Sequence, residues 1–348
     1  MKKNNLSRNL LQIRKNSTRL FFSLIVSIFF FSCDTEDEKP AGCADVEILG
    51  YNIEQGSQTG NFGSSLNSLA VPNFTVLTAV TQPVTFQSSG TNNAVFNPMT
   101  NEYILISGEK GILTKVNTAT NTSSATVIPL YSSTTLLYRV VNAPVIVGGV
   151  LYYGCYDFTN QIFSLVDANF NIIPSSSTPI PQNTLAGYNL QTFTAATDGV
   201  NAIYFLLGNR IITYNNSNIS TAIVSAAIAL PAGGSSGLSF ISLEFKQTNI
   251  LYAIMEDAGV SNSKLYELNV SNPLLISKTP IYSFAFNINS EFYSTVYDDC
   301  NKIFYVSTLQ GISGYPNGQI SKIDVSGTPT LLSTTPTTFV ELGLTLKK

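Results

Sequence analysis

The sequence contains no histidine and no tryptophan, only four cysteines and three methionines, and only 11% of its 348 residues are charged. Without imidazole there is no Ser-His-Asp or Cys-His nucleophile and no histidine metal ligand. Acid–base chemistry would fall to carboxylates, Tyr, Lys, Ser or Cys. Long apolar runs are missing too: Leu20 to Phe31 (LFFSLIVSIFFF) has 12 residues, short of the ~20 that a membrane-spanning helix requires. Arginine is nearly absent after residue 32, where only Arg139 and Arg210 remain. Residues 1–32 hold six Lys and Arg and no acid, so the rest carries 12 Lys and Arg against 21 Asp and Glu, a formal charge of −9. Such a surface repels a phosphate backbone, and nucleic acid is excluded as a partner. At 44% hydrophobic residues and this length, the chain can bury a substantial core.

The first 32 residues read as a processed targeting segment, not as part of the fold. Lys2, Lys3, Arg8, Arg14, Lys15 and Arg19 precede the apolar run, which ends at Ser32 and Cys33. The junction Phe30-Phe31-Ser32-Cys33 resembles the lipobox of bacterial lipoproteins, with Phe30 where that family prefers Leu. The resemblance implies cleavage before Cys33 and lipidation of its thiol. Asp34-Thr35-Glu36-Asp37-Glu38-Lys39-Pro40 follows, so residues 33–42 should form a solvated acidic tether. An acidic run at this place resembles the export signal of Bacteroidota surface lipoproteins. It implies an outer-membrane protein held by the lipid on Cys33 and displayed at the cell surface, with the periplasm-facing leaflet as the alternative.

Beyond the tether the chain repeats. The pentads beginning at Asn101 (NEYIL), Gly149 (GVLYY), Asn201 (NAIYF), Asn249 (NILYA) and Asn301 (NKIFY) align without gaps, at intervals of 48, 52, 48 and 52 residues. Asn or Gly opening a β-branched and aromatic run marks a tight turn entering a strand. A second column, Ile112 to Asn117, Ile162 to Asp167, Ile211 to Asn215, Leu265 to Asn269 and Ile320 to Asp324, ends each time in Asn or Asp, which closes an Asx-turn. Short apolar strands precede the pentads at 94–97, 143–147, 192–196, 240–245 and 292–297, and looser ones follow at 125–130, 222–230 and 280–284. Four strands per repeat of ~50 residues predict an all-β fold with one antiparallel sheet per repeat.

Phe96-Asn97-Pro98-Met99-Thr100-Asn101-Glu102-Tyr103, followed by Lys115-Val116-Asn117-Thr118-Ala119-Thr120-Asn121, resembles the YVTN-type β-propeller repeat. The other four units keep its rhythm without its Pro. The resemblance implies a β-propeller over residues 43–348. The repeat length predicts six four-stranded blades, five visible and one composite, in which Thr338 to Leu346 pairs with strands from Asp45 to Gln87. Five blades plus an N-terminal appendage is the alternative, with Gln55 to Leu69 as a loop or decoration; seven would need shorter repeats than the observed spacing.

The distance from each pentad to the residue closing the second column varies, so the loops between them absorb the variation: 107–111, 156–160, 207–209, 256–263 and 309–318. These loops share one face, which is the expected site. Glu109, Asp157, Glu256 and Asp257 on it could hold Ca²⁺ through carboxylate oxygens, although no Asp-x-Asp-x-Asp-Gly loop sets their spacing. Tyr156 and Tyr315 are candidate stacking rings, and Lys110 and Arg139 candidate partners for an anionic group. Cys43 and Cys300 are candidates for a disulfide closing the ring, leaving Cys155 as a buried thiol. The expected function is a non-enzymatic module for a protein or glycan partner, without a cofactor, acting as a monomer or a complex subunit. Two alternatives stand: a divalent-metal-dependent hydrolase of the lactonase kind, a reading the propeller resemblance supplies, and a structural subunit of an outer-membrane complex.

Overall fold

The computed structural model describes residues 46–52, 65–71, 73–81, 94–107, 111–130, 132–134, 137–181, 193–229, 238–257, 262–286, 288, 293–309, 318–337 and 340–347. The chain divides into Met1–Cys43, which lies wholly outside the described residues together with the signal segment and Cys33, and Ala44–Lys348. No helix among the described residues is long and apolar enough to cross a membrane.

Ala44–Lys348 forms six antiparallel sheets. Blade 1 contains Glu47–Asn52, Ser65–Ala70 and Thr75–Thr81, with Glu341–Lys347 as its inner strand. Blade 2 is Ala94–Asn97, Glu102–Ser107, Ile112–Asn117 and Thr122–Val127, and blade 4 is Thr194–Thr197, Ala202–Leu207, Arg210–Asn215 and Asn218–Val224. Blade 3 runs Leu137–Val147, Val150–Asp157, Ile162–Val166 and Thr178–Pro179, with Ser132–Thr134 added beside the first. In blade 5, Leu238–Phe240 and Glu244–Gln247 both pair with Ile250–Asp257, which is followed by Lys264–Asn269 and Ser277–Ser283. Blade 6 is Tyr293–Asp298, Ile303–Leu309, Gly318–Asp324 and Thr330–Thr337. The inner strand of each blade touches those of both neighbours, and the succession returns from blade 6 to blade 1. The ring is a six-bladed β-propeller.

Closure is composite, as expected: Glu341–Lys347 pairs with Glu47–Asn52 in the register Glu47↔Lys347 and Asn52↔Glu341. All five expected Asx-turns form. Asn117, Asp167, Asn215, Asn269 and Asp324 each accept, through Oδ1, the N–H two residues on, at 2.8–3.0 Å. Asn101 (φ 55°), Gly149 (77°) and Asn249 (63°) take left-handed backbone at the pentad turns. In the other two blades that conformation moves to Gly199 (74°) and Lys302 (56°).

Three expectations change. Ser65–Ala70 is a strand with four buried residues, not a loop or decoration. The outer strands of blades 2, 4 and 5 begin three or four residues earlier than expected, because their exposed faces carry little apolar alternation. Val150–Asp157 and Ile250–Asp257 extend through Tyr156, Asp157, Glu256 and Asp257, which therefore end strands and do not belong to loops.

The apolar interior is divided among six clusters, one in each seam between neighbouring blades. Hydrogen bonds pin the seams: Tyr103 Oη donates to Gly343 O at 2.8 Å, Tyr214 Oη to Ser176 O at 2.9 Å, and Leu344 N to Ser294 Oγ at 2.8 Å. Within blades 2 to 6 the chain turns tightly between first and second strands at one end of the ring, the turn face. The variable connections between second and third strands lie at the other end, the loop face.

Candidate functional site

The described part of the loop face is organised around an ion pair in blade 3. Arg139 and Asp157 are register partners on adjacent strands, and Arg139 Nε donates to Asp157 Oδ2 at 2.8 Å. Asp157 also closes the turn that follows it: Asn160 N–H donates to Oδ1 at 2.9 Å and Asn160 Nδ2 to Oδ2 at 3.1 Å. Burial alone would raise the carboxyl, but the Asn160 N–H, the Arg139 guanidinium and the Asn160 amide outweigh it and hold Asp157 below its ordinary 3.8. The carboxylate is ionised at neutral pH, and Arg139 is fixed by it.

Beside this pair is a half-open pocket of about 160 Å³ lined by Arg139, Asp157 and Asn160, by Ser164 and Ser177, and by Cys155, Ile162 and Ile172. That is room for roughly five water molecules at ~30 Å³ each. Ser164 Oγ and Ser177 Oγ stand 2.9 Å apart. Among the described residues the terminal amino groups of Arg139 meet no acceptor. Burial pushes the Cys155 thiol up to about 12, with Arg139 and Asp157 acting on it in opposite senses. The thiol is free but protonated, and a thiol without its thiolate is a poor nucleophile.

Of the expected site residues, Arg139 and Asp157 come together, in roles that differ from the assignment. Asp157 is engaged by Arg139 and Asn160, and Glu256 lies two blades away in blade 5. No group of three or more His, Cys, Asp or Glu side chains placed to hold a metal ion occurs among the described residues. Tyr156 is corrected: its ring is 2% exposed and packs edge-on against Phe158 at 4.7 Å in the seam to blade 4, so it offers no stacking surface. Glu109, Lys110, Tyr315, Cys33 and Cys43 lie outside the described residues, as does the side chain of Asp257. Cys300 is disulfide-bonded.

Sequence reasoning missed the hydroxyls of Ser164 and Ser177, which look like any strand serines, and two carboxyls, Glu341 buried and Glu244 partly so. Glu341 and Glu244 are each pushed up to about 8 by burial, which Asn67 partly offsets at the first and Thr295 with the Tyr297 N–H at the second. Acids at the starts of short strands carry no mark of burial.

No protein-family model and no curated protein matches the chain. Solved structures do. A Lactobacillus plantarum protein aligns over 87% of this chain and 100% of its own, at 10% identity and a TM-score of 0.51. A candidate 6-phosphogluconolactonase from Bacteroides fragilis aligns over 87% and 98%, at 9% identity and a TM-score of 0.50. What they share with this chain is the propeller. At such identity the likeness establishes the fold and leaves the chemistry to the residues described above.

Proposed function

We propose that the protein is a lipid-anchored, non-enzymatic binding propeller of the outer membrane that captures a polar ligand, such as an acidic sugar residue of a glycan, in the blade 3 pocket. The observation that carries this reading is the Arg139–Asp157 pair at the pocket wall. The carboxylate orients the guanidinium from one side and leaves its amino groups for a ligand, while Asn160, Ser164 and Ser177 supply further donors and acceptors. No described group in the pocket is activated for attack: its thiol is protonated, and its carboxylate is tied up in an ion pair and a turn.

Titration with glucuronate and with glucose, followed by NMR, tests the reading. Glucuronate should bind in preference to glucose, and Arg139→Ala should weaken it about 10- to 100-fold, the worth of a charge-assisted hydrogen bond. Equal affinity for both sugars, or an unchanged affinity in Arg139→Ala, removes this pocket as the binding site.

A further inference from the structure

The turn face carries large apolar side chains where turns ordinarily place Gly, Asn, Asp and Ser. Met99, Val150 and Val200, at the inner turns of blades 2, 3 and 4, are 77%, 45% and 61% exposed, and Leu274 and Leu275, in the outer turn of blade 5, are 81% and 72% exposed. The turns carrying the first three adjoin. A Cβ on Gly149 would stand 3.4 Å from Met99 Sδ, and Gly148 N–H donates to Gly199 O at 2.8 Å, joining the turns of blades 3 and 4. Pro273 O accepts Ala226 N–H at 2.7 Å, tying the Leu274–Leu275 turn to blade 4. The other exposed large apolar side chains among the described residues sit on outermost strands: Val76, Leu77, Val127, Ile223, Leu331 and Leu332. Apolar tips gathered on one end of a ring mark a contact surface.

The chain enters the propeller on this same face. Glu47 pairs with Lys347, so Glu47–Asn52 starts at the turn end of blade 1. Between Cys33 and Val46 there are 12 residues, which reach about 40 Å when fully extended. A lipid on Cys33 therefore keeps the turn face within reach of the bilayer. The face has no excess positive charge to direct it to an anionic protein or headgroup: three of its lysines are held in the pairs Lys302–Asp299, Lys347–Glu47 and Lys246–Glu267, and Asp167, Asp198 and Asp324 stand in its turns.

We infer that the turn face rests on the bilayer, with Met99, Val150, Val200, Leu274 and Leu275 entering the lipid interface and the Arg139 pocket pointing away from the membrane. The inference rests on the lipid anchor proposed above. The native chain has no tryptophan, so one introduced indole reports its own surroundings. Full-length lipidated Met99→Trp, Val200→Trp and, at an exposed position on the loop face, Asn262→Trp are reconstituted into phosphatidylcholine vesicles containing doxyl lipid, and fluorescence and flotation are measured on the same samples. An apolar surface at the interface enters ~5–10 Å, so quenching at positions 99 and 200 should exceed that at 262 by about twofold or more, with blue-shifted emission. Flotation with equal quenching at all three positions overturns the orientation and leaves the anchor standing. No flotation of the parent chain, or flotation retained in Cys33→Ser, overturns the anchor and the inference with it.

Discussion

Glu341 links the closing of the ring to pH. It begins the inner strand of blade 1 and is 4% exposed. Its Oε1 accepts Asn67 Nδ2 at 2.8 Å, and its buried Oε2 has no hydrogen-bond partner among the described residues. Tyr103, whose own hydroxyl is raised well above 10 by burial, is an ionisable neighbour, and among the described residues no ion pair reaches Glu341. The carboxyl titrates at about 8 instead of 4.5. Between those values the folded state keeps a proton that the unfolded state releases. The stability from this group is complete below pH 4.5 and is lost as pH rises through 8. Each tenfold difference in proton affinity is about 1.4 kcal/mol, so the full loss is on the order of 4–5 kcal/mol. At ~2.1 cal/mol/K per residue over ~300 residues this corresponds to about 7 °C in Tm. Glu244 acts with the same sign. Melting curves from pH 5 to 9 for wild type, Glu341→Gln and the double variant Glu244→Gln/Glu341→Gln provide the test. The glutamine keeps an acceptor for Asn67, so Glu341→Gln should cost about 1 kcal/mol at pH 5 for its unpaired N–H and melt several degrees above wild type at pH 9. Parallel curves for wild type and Glu341→Gln across that range would refute the reasoning.

Other outcomes follow from packing and charge. Gly154→Ala should destabilise by about 1–3 kcal/mol in denaturant melts, since the new Cβ would lie 2.6 Å from Phe193, 2.8 Å from Phe163 and 2.9 Å from Phe205; a midpoint equal to wild type would show that the seam between blades 3 and 4 is looser than described. Cys155 should resist iodoacetamide at pH 8 in the native protein and react on unfolding, because its thiol titrates at about 12; rapid native labelling counts against that burial. With Asp157 committed to Arg139 and Asn160, chelator should leave Tm unchanged, and a drop of several degrees would favour the calcium reading through Glu109, Glu256 and Asp257. Asp157→Asn should lose stability relative to wild type at pH 7 and match it more closely as pH falls below the ordinary carboxyl value, since the depressed carboxyl contributes only while ionised.

The repeat was legible because its signals are local. An Asn or Asp closing the third strand of blades 2 to 6 reaches an N–H two residues away, and such a turn is written in adjacent letters. The composite blade was legible from arithmetic alone, as five visible units and enough remaining chain for a sixth. Burial at strand ends was not. Tyr156 occupies a place that reads equally as the first residue of a loop or the last of a strand, and only the register with Val140 decides it. Glu341 meets Asn67 across 274 residues of sequence, and no window along the chain contains both. The pairing of Arg139 with Asp157 lay between these cases: it crosses one hairpin, 18 residues apart, and needed the irregularity between Tyr152 and Gly154 to be known before the partners could be matched.

The composite blade also sets an order of events. Five blades are made from neighbouring strands and can form as each stretch of chain becomes available. Glu47 and Lys347 are 300 residues apart, so the first three strands of blade 1 wait for an inner strand supplied after every other blade. Non-local contacts of this kind are slow to form because the entropy of closing the loop is lost before any pairing compensates it. A chain emerging vectorially, from a ribosome or through an export channel, would therefore remain an open arc with blades 1 and 6 unjoined until residues 341–347 are free. The propeller's folding clock is the time at which that strand is released.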